Sequence, residues 1–362
     1  MPGPYPYYGA SGIVDHVEGY LFDGRYLLIG EDGENLRTRQ TPIAFMAQGK
    51  FWVNNHAHIV KANQLADTRF LMYAVLNSNI QSYLTGVVMP KLTQANLNKI
   101  MLPCPPLAVQ VQVAGMLGAL DDRITLLRET NDTLESMAMA LFKSWFVDFD
   151  PVHAKMKGCA PKGLDEATAA LFPDGLEASN LGWVPRGWRV GALGELVKIA
   201  YGKNLPKSKL LQTGYPVYGG NGPIGFSDKF LYESRQVLVA CRGAASGKFN
   251  QSAPRAFITN NSLVLESDSA TLLPFGYLKG CMACADLSPF VTGSAQPQIT
   301  IENLNHFNLL VPHASVLNAF EAFSAPIEDK IEANNQQAQT LARLRDTLLG
   351  RLMSGQLRLP GR

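Results

Sequence analysis

A chain of 362 residues with 46% hydrophobic and 17% charged residues has room for two or three domains with real cores and is not of disordered composition. Its longest apolar runs, such as residues 26–29 and 237–240, are strand-sized against the roughly 20 residues of a membrane-crossing helix. Residues 1–9 have no signal-peptide order, so the expectation is a cytoplasmic protein with no membrane partner. The net charge is only +2, yet residues 183–312 hold twelve Lys and Arg against seven Asp and Glu, so any nucleic-acid footprint must be local and strongest there.

Residues 1–105 read as β-rich. Residues 20–22 and 25–29 look like strands with Asp23-Gly24 as a hairpin turn between them. Residues 51–53 and 58–60 are apolar runs around Asn54-Asn55, and residues 68–79 have helical spacing through Phe70, Leu71, Ala74 and Val75. Pro103, Pro105 and Pro106 then open a long helix, since proline is well placed in a first turn. Over residues 106–148, Val109, Val113, Met116, Leu120, Ile124, Leu127, Asn131, Leu134, Ala138 and Leu141 recur every three or four positions, which is the seam of an amphipathic helix packed on a partner helix.

A linker with one short helix around residues 165–171 leads through Trp183 and Trp188 into a second β-rich region, residues 183–312. Val311-Pro312 opens a last helix, whose seam is Val316, Phe320, Phe323, Ile327, Ile331, Asn334, Ala338, Leu341, Leu344, Leu348 and Leu352. Pro326 inside it predicts a kink or a restart. At 1.5 Å per residue, a helix of about 40 residues is about 60 Å long.

The chain is an internal repeat. Shifted by 207, Leu120, Asp122, Ile124 and Leu134 fall on Ile327, Asp329, Ile331 and Leu341. Shifted by 210, Tyr5-Pro6, Tyr8-Gly9, Gly12, Arg25 and Gly33 fall on Tyr215-Pro216, Tyr218-Gly219, Gly222, Arg235 and Gly243. Thr85-Gly86, Pro90 and Thr93 match Thr292-Gly293, Pro297 and Thr300 at 207. The fold expected is therefore α+β: two β-rich domains separated by two long helices that pair as an intramolecular antiparallel coiled coil. The expected boundaries are 1–105 for the first domain, 106–157 for the central helix, 158–182 for the linker, 183–312 for the second domain and 313–362 for the last helix. Leu120, Ile124, Leu127, Leu134, Leu141, Ile327, Ile331, Leu341 and Leu348 are the expected packing residues. Residues 183–210 have no counterpart in the first copy, so the first domain is expected to be incomplete at its start.

Catalytic signatures are missing. The chain has neither a phosphate-binding G-x-x-x-x-G-K-[ST] loop nor a dinucleotide glycine fingerprint. His56 and His58 lie two apart with no third ligand nearby, which reads as packing or hydrogen bonding and not as a metal site. Asp32 with Gln48-Gly49-Lys50 only loosely fits a nuclease pattern, and the second copy puts Arg242 in place of Asp32. The five cysteines are odd in number and scattered, as for reduced thiols; Cys281 and Cys284 form a lone C-x-x-C without the second pair a zinc site needs.

Tyr5-Pro-Tyr-Tyr-Gly-Ala-Ser-Gly12, Ile29-Gly-Glu-Asp-Gly-Glu-Asn-Leu36, Gly49-Lys-Phe-Trp-Val-Asn-Asn-His-Ala-His58, Tyr215-Pro-Val-Tyr-Gly-Gly-Asn-Gly222 and Ile258-Thr-Asn-Asn261 closely resemble the target-recognition domains of type I restriction-modification specificity subunits. Leu141-Phe-Lys-Ser-Trp-Phe-Val-Asp-Phe-Asp-Pro151 resembles the end of that family's central region. The resemblance implies a non-catalytic subunit that reads an asymmetric two-part duplex DNA sequence, one part per domain, with helices that set the spacer and dock two modification subunits. S-adenosylmethionine, ATP and Mg would belong to the modification and restriction subunits, and this chain would bind no cofactor or metal. Competing readings are a fused nuclease or methyltransferase, and an interaction scaffold that binds no DNA.

Polar and basic loop residues are the expected DNA contacts. In the first domain these are Arg37, Arg39, Gln40 and Lys50. In the second they are Lys203, Lys207, Lys209, Arg242, Ser246, Lys248, Asn250 and Arg255. Asn54-Asn55 and Asn260-Asn261 recur in both copies and so read as structural. Arg343, Arg345 and Arg351 are expected to face a partner subunit.

Overall fold

A computed structural model describes residues 3–266 and 273–359. Two units emerge, one of Met1–Glu129 with Asn335–Arg362 and one of Thr130–Asn334.

In the first unit, β1 (Tyr5–Gly9), β2 (Gly12–Val17), β3 (Phe22–Gly30), β4 (Ala44–Val53) and β5 (Ala57–Val60) form a sheet in the order β2-β1-β4-β3-β5. The β1–β4 pair is parallel, and the others are antiparallel. The short α1 (Asn35–Thr38) lies between β3 and β4. After β5 come α2 (Thr68–Asn77), capped by Asp67, then α3 (Gln94–Leu97) and the 40-residue α4 (Leu107–Phe146). The second half of β3, residues 27–30, is buried on both faces, which explains its unbroken apolar run. Leu27 and Ile29 pack with Phe70 and Tyr73 of α2 and Leu117 of α4, while Leu28 packs with Ala47 and Phe51 on the other side. Asp23-Gly24 does not turn the chain. The strand runs straight through it, with Gly24 opposite Gly49 in an eight-pair ladder from Phe22↔Phe51 to Ile29↔Ala44, because pairing with the long β4 outweighs a local turn preference.

The second unit continues from the end of α4 into α5 (Asp150–Met156), with Pro151 in its first turn, and α6 (Glu166–Ala170), capped by Asp165. A hairpin of β6 (Leu176–Ser179) and β7 (Gly182–Pro185) precedes β8 (Arg189–Ala192), α7 (Leu193–Leu196) and β9 (Lys198–Tyr201). Then come β10 (Tyr215–Gly219), β11 (Gly222–Ser227), β12 (Val237–Ala240), β13 (Phe249–Gln251), β14 (Phe257–Ile258) and β15 (Ser262–Glu266). The unit closes with α8 (Phe275–Cys284), α9 (Ile301–Asn305), β16 (Asn308–Val311) and the first part of the 40-residue α10 (Ala314–Met353). Strand orders are β13-β12-β15-β9, β11-β10-β14 and β16-β8.

The internal repeat extends to local irregularities. The β1–β2 hairpin shifts register between Tyr7 and Tyr8, and β10–β11 does so between Val217 and Tyr218. Tyr7↔Trp52 and Tyr8↔Val53 pair in parallel as do Val217↔Phe257 and Tyr218↔Ile258. The residues without a counterpart form β8, α7 and β9, and β9 pairs along β15. The equivalent strand in the first unit, β5, has no further strand beside it among the described residues.

Within each unit, α4 and α10 run antiparallel. In the first unit Ile124 and Leu127 pack with Ala338 and Leu341, Asp121 meets Arg345, and Leu117 and Leu348 join the domain core. In the second, Asn131 meets Asn334 and the α4 end packs on Phe320. Ile331 is buried; Leu120, Leu134, Leu141 and Ile327 are half-buried. Four residues assigned to the seam from spacing, Val109, Met116, Phe323 and Leu344, are exposed, since globular packing draws the helices onto their domains and departs from strict heptads. The helix α10 continues through Pro326 without a restart. Ser324 and Glu328 are buried on either side of it, and Glu328 is held by Lys279, so tertiary anchoring offsets the lost backbone bond.

Phe142, Trp145 and Phe146, at the end of α4, form an aromatic cluster with Phe172, Trp188, Tyr277 and Phe320. The Tyr277 hydroxyl donates to Leu310 O at 2.5 Å, and burial pushes its pKa well up. Cys281 is half-buried next to it, and desolvation raises its thiol to about 12, so the C-x-x-C holds an inert thiol.

Candidate nucleic-acid interface

The polar loop of the second unit leaves β12 at Ala240 and returns as β13 at Phe249. Gly247 N donates to Ala240 O at 2.8 Å, and Ala240 N donates to Lys248 O at 2.9 Å, closing its neck. Within it, Gly243 and Gly247 have φ of +75° and +85° around a tight helical turn. A second loop, residues 292–298, lies against the first. Gly243 N and Ser246 Oγ donate to Pro297 O at 2.9 and 2.8 Å, and Arg242 bridges to Gln298. Residues 241–251 and 292–300 contain no acidic side chain. Arg242 and Lys248 are exposed and form no ion pair among the described residues.

Lys203 joins this face. Tyr201, which ends β9, pairs with Leu263, and Ala240, which ends β12, pairs with Ser262. The loops after β9 and β12 therefore leave the same end of the sheet, and Lys203, Arg242, Ser246 and Lys248 share it. Lys207 and Lys209 are exposed further along the β9–β10 connection. Arg255 does not join them. It follows β13 at the opposite end, in a left-handed conformation (φ +53°), and its guanidinium donates to Glu233 at 2.9 Å. Asn250 lies within β13, its side chain accepting from Gln251 N at 2.9 Å.

The first unit builds the same pair of loops with different chemistry. Residues 31–37 follow β3, and residues 85–91 lie against them: Gly33 N donates to Pro90 O at 3.1 Å, and Asp32 bridges to Lys91. Here Lys91 and Arg37 pair with acids of the same loops, and the His56 ring contacts Asp32. Lys91 meets Glu31 at 3.0 Å, His56 meets Asp32 at 2.8 Å and Arg37 meets Glu34 at 3.6 Å. The Glu31 carboxylate raises the Lys91 pKa.

Arg37 and Arg39 bond backbone carbonyls of their own domain. Arg37 donates to Gly86 O at 2.8 Å, and Arg39 to Leu76 O and Ser78 O at 2.8 and 2.6 Å, satisfying carbonyls at the end of α2. Gln40 lines a cavity of about 430 Å³ with Tyr73, Asp121 and Arg345, away from the loop pair. Lys50 lies opposite Asp23, with its ammonium 4.6 Å from the Tyr20 ring. That is the far end of the β3–β4 ladder from Asp32, on the order of 20 Å away at strand rise, so the nuclease-like pattern has no shared site. The rings of His56 and His58 are engaged by Asp32 and Leu92 O. Asn54 caps a turn, accepting from His56 N at 2.9 Å, and Asn261 O accepts from Cys241 N at 2.9 Å. Arg345, expected to face a partner, is held by Asp121 and Asp346, each at 2.7 Å.

Residues 85–91 and 292–298 were not among the site candidates. A signal for them exists in the sequence: the frame Thr-Gly…Pro recurs in both copies, while the tips differ, Val87-Val88-Met89 against Ser294-Ala295-Gln296. A constant frame with a variable tip is what two readers of different sequences require.

Comparison with known proteins agrees with this duplicated geometry. The family model for the type I restriction modification DNA specificity domain matches residues 1–136 and 185–339. The chain belongs to that family and carries its specificity domain twice. A Haemophilus influenzae protein named as a type I restriction enzyme specificity subunit is 42% identical over 120 residues, covering 33% of this chain and 31% of that protein. The MjaIX specificity subunit of Methanocaldococcus jannaschii is 24% identical over 92% of this chain and 79% of its own length. The fold is that of the type I S subunit from M. genitalium, with a TM-score of 0.54 at 16% identity, covering 97% of this chain and 89% of that one. No helix among the described residues is long and apolar enough to cross a membrane.

Proposed function

We propose that this chain is the DNA-reading subunit of a type I restriction-modification complex, with residues 1–105 reading one half of a bipartite duplex target and residues 183–312 the other. The observation that carries this is the loop pair built twice at equivalent places, with unpaired cations and no acid in the second copy. Arg242, Lys248, Lys203 and the carboxamides of Gln296 and Gln298 supply the contact types that duplex recognition uses: cations for phosphates and amides for base edges. Two modification subunits dock along α4 and α10, where Met116, Met137 and Leu344 are exposed. S-adenosylmethionine, ATP and Mg act in the modification and restriction subunits, and this chain supplies specificity alone. With a net charge of +2, it gains tight binding only in the complex.

Titrating the chain with its modification subunits against a duplex carrying the methylated motif tests this. Lys248→Ala weakens binding and makes the log–log salt slope shallower by about one contact's worth, near 0.9, with the target sequence unchanged. Sequence-specific binding by the complex that is indifferent to salt and to Lys248→Ala would reject the face.

A further inference from the structure

Val87 and Val88 are 93% and 94% exposed, and Met89 62%. They are held out on a rigid frame. Thr85 and Lys91 exchange two backbone hydrogen bonds of 2.8 Å, Arg37 donates to Gly86 O, and Gly33 N donates to Pro90 O. Gly86 has φ +85°, and a Cβ there would meet Met89 O at 2.1 Å, so the turn admits only glycine. Gly293 repeats that φ, and Thr292 and Gln298 repeat the exchange at 2.7 and 2.8 Å. The two domains thus present the same frame, one with a polar tip beside unpaired Arg242, the other with a wholly apolar tip beside Lys91 and Arg37, which pair with Glu31 and Glu34.

We infer that Val87, Val88 and Met89 are the base-reading tip of the first domain and take thymine C5-methyl groups in the major groove of its half-site. Aliphatic side chains offer no hydrogen bond to a base edge, and the feature they discriminate is the methyl of an A·T pair. This rests on the reading of both domains as DNA readers. The tip of the second domain, framed alike and set in an acid-free basic loop, is what favours DNA over a protein partner here.

The test uses the assembled complex of this chain with its modification subunits. Methylated genomic DNA gives both half-sites, and each thymine is then replaced in turn by uracil, which lacks the methyl. Wild type is expected to lose about threefold to fourfold in affinity per contacted methyl, in one half-site only. The graft Val87→Ser, Val88→Ala, Met89→Gln binds thymine and uracil duplexes equally, and its methylation pattern relaxes in that half alone. The single change Val88→Ala, at a fully exposed position, serves if the graft fails to fold. Specific binding that ignores uracil in both halves, a target in which neither half has an A·T pair, or an unchanged methylation pattern in the graft overturns the inference while leaving the DNA-reading function intact. A folded graft that no longer retains modification subunits makes the tip a protein-docking surface and also overturns it. Absence of any sequence-specific binding by the wild-type complex rejects the underlying function itself.

Discussion

Each recognition domain is tied to the long helices by charges at equivalent positions. In the first unit, Arg69 of α2 grips Asp122 of α4 at 2.5 and 3.1 Å, and the Tyr73 hydroxyl donates to Asp121 at 2.5 Å. Gly118 leaves room for that guanidinium, since a Cβ there would lie 2.5 Å from Arg69 Cζ. In the second unit, Lys279 of α8 meets Glu328 at 2.5 Å and Arg235 meets Asp329 at 2.7 Å. Asp121-Asp122 and Glu328-Asp329 are related by the offset of 207. Glu328 is the buried member, with Lys279 also largely buried. Glu328→Ala strands Lys279, while Arg235 keeps Asp329, and is expected to destabilise the unit by roughly 3 kcal/mol in denaturant unfolding. Glu321 behaves oppositely. Burial raises its pKa, although Gly276 N and Ser324 Oγ donate to it. Its folded form therefore binds a proton more readily than its unfolded form, so its ionisation destabilises the fold at neutral pH and that penalty fades as pH falls through the raised value. Glu321→Gln should melt above wild type at pH 7, with the difference shrinking on acidification; a constant or growing difference would contradict the assignment.

At the scale of elements, the helix pair holds a buried asparagine layer. Asn334 Nδ2 donates to Asn131 Oδ1 at 2.8 Å and Asn131 Nδ2 to Ile331 O at 3.3 Å, with both residues buried. Such a layer lowers stability relative to an apolar one and rejects shifted registers. Asn131→Leu alone removes the acceptor of a buried amide and should cost about 1–3 kcal/mol. Asn131→Leu with Asn334→Leu should recover or exceed wild-type stability yet loosen register, read as heterogeneous cysteine cross-linking between α4 and α10. Elements were legible wherever pattern and length agreed: α2, α4, α10 and the strands around Asn54-Asn55 stand where spacing places them. They were illegible where pairing partners decided the outcome. Asp23-Gly24 has turn chemistry but lies in a ladder with β4, and α5 falls within residues 106–157, read as one central helix, where Phe149 in a left-handed conformation (φ +52°) separates it from α4 and burial of Pro151 and Val152 supports it.

For the whole molecule, the repeat is the organising fact, and both long helices contribute to each unit. The proposal that helix length sets the spacer of the target has a direct test: inserting four residues near Asn131 should lengthen the non-specific spacer seen in methylated genomic DNA and leave both half-sites unchanged. An unchanged spacer would remove the helices from that role. The candidate face was only partly readable in advance. Lys203, Arg242, Ser246 and Lys248 gather at one sheet end, but Arg37, Arg39 and Arg255 bond carbonyls and a carboxylate of their own domain at the surface, because a guanidinium in sequence is equally a DNA contact or a cap.

The sequence by itself determined the duplication, the α+β class, the two long helices and the family, because these rest on periodicity and on motifs repeated at a fixed offset. Tertiary structure alone decided which charges remain for a partner and which loops meet. Those depend on strand register and on side chains more than 40 residues apart, such as Arg37 with Gly86 and Ser246 with Pro297. The tips themselves, Val87-Val88-Met89 and Ser294-Ala295-Gln296, are written in the sequence; the fold decided that each stands on an equivalent frame, beside paired Lys91 in the first head and unpaired Arg242 in the second.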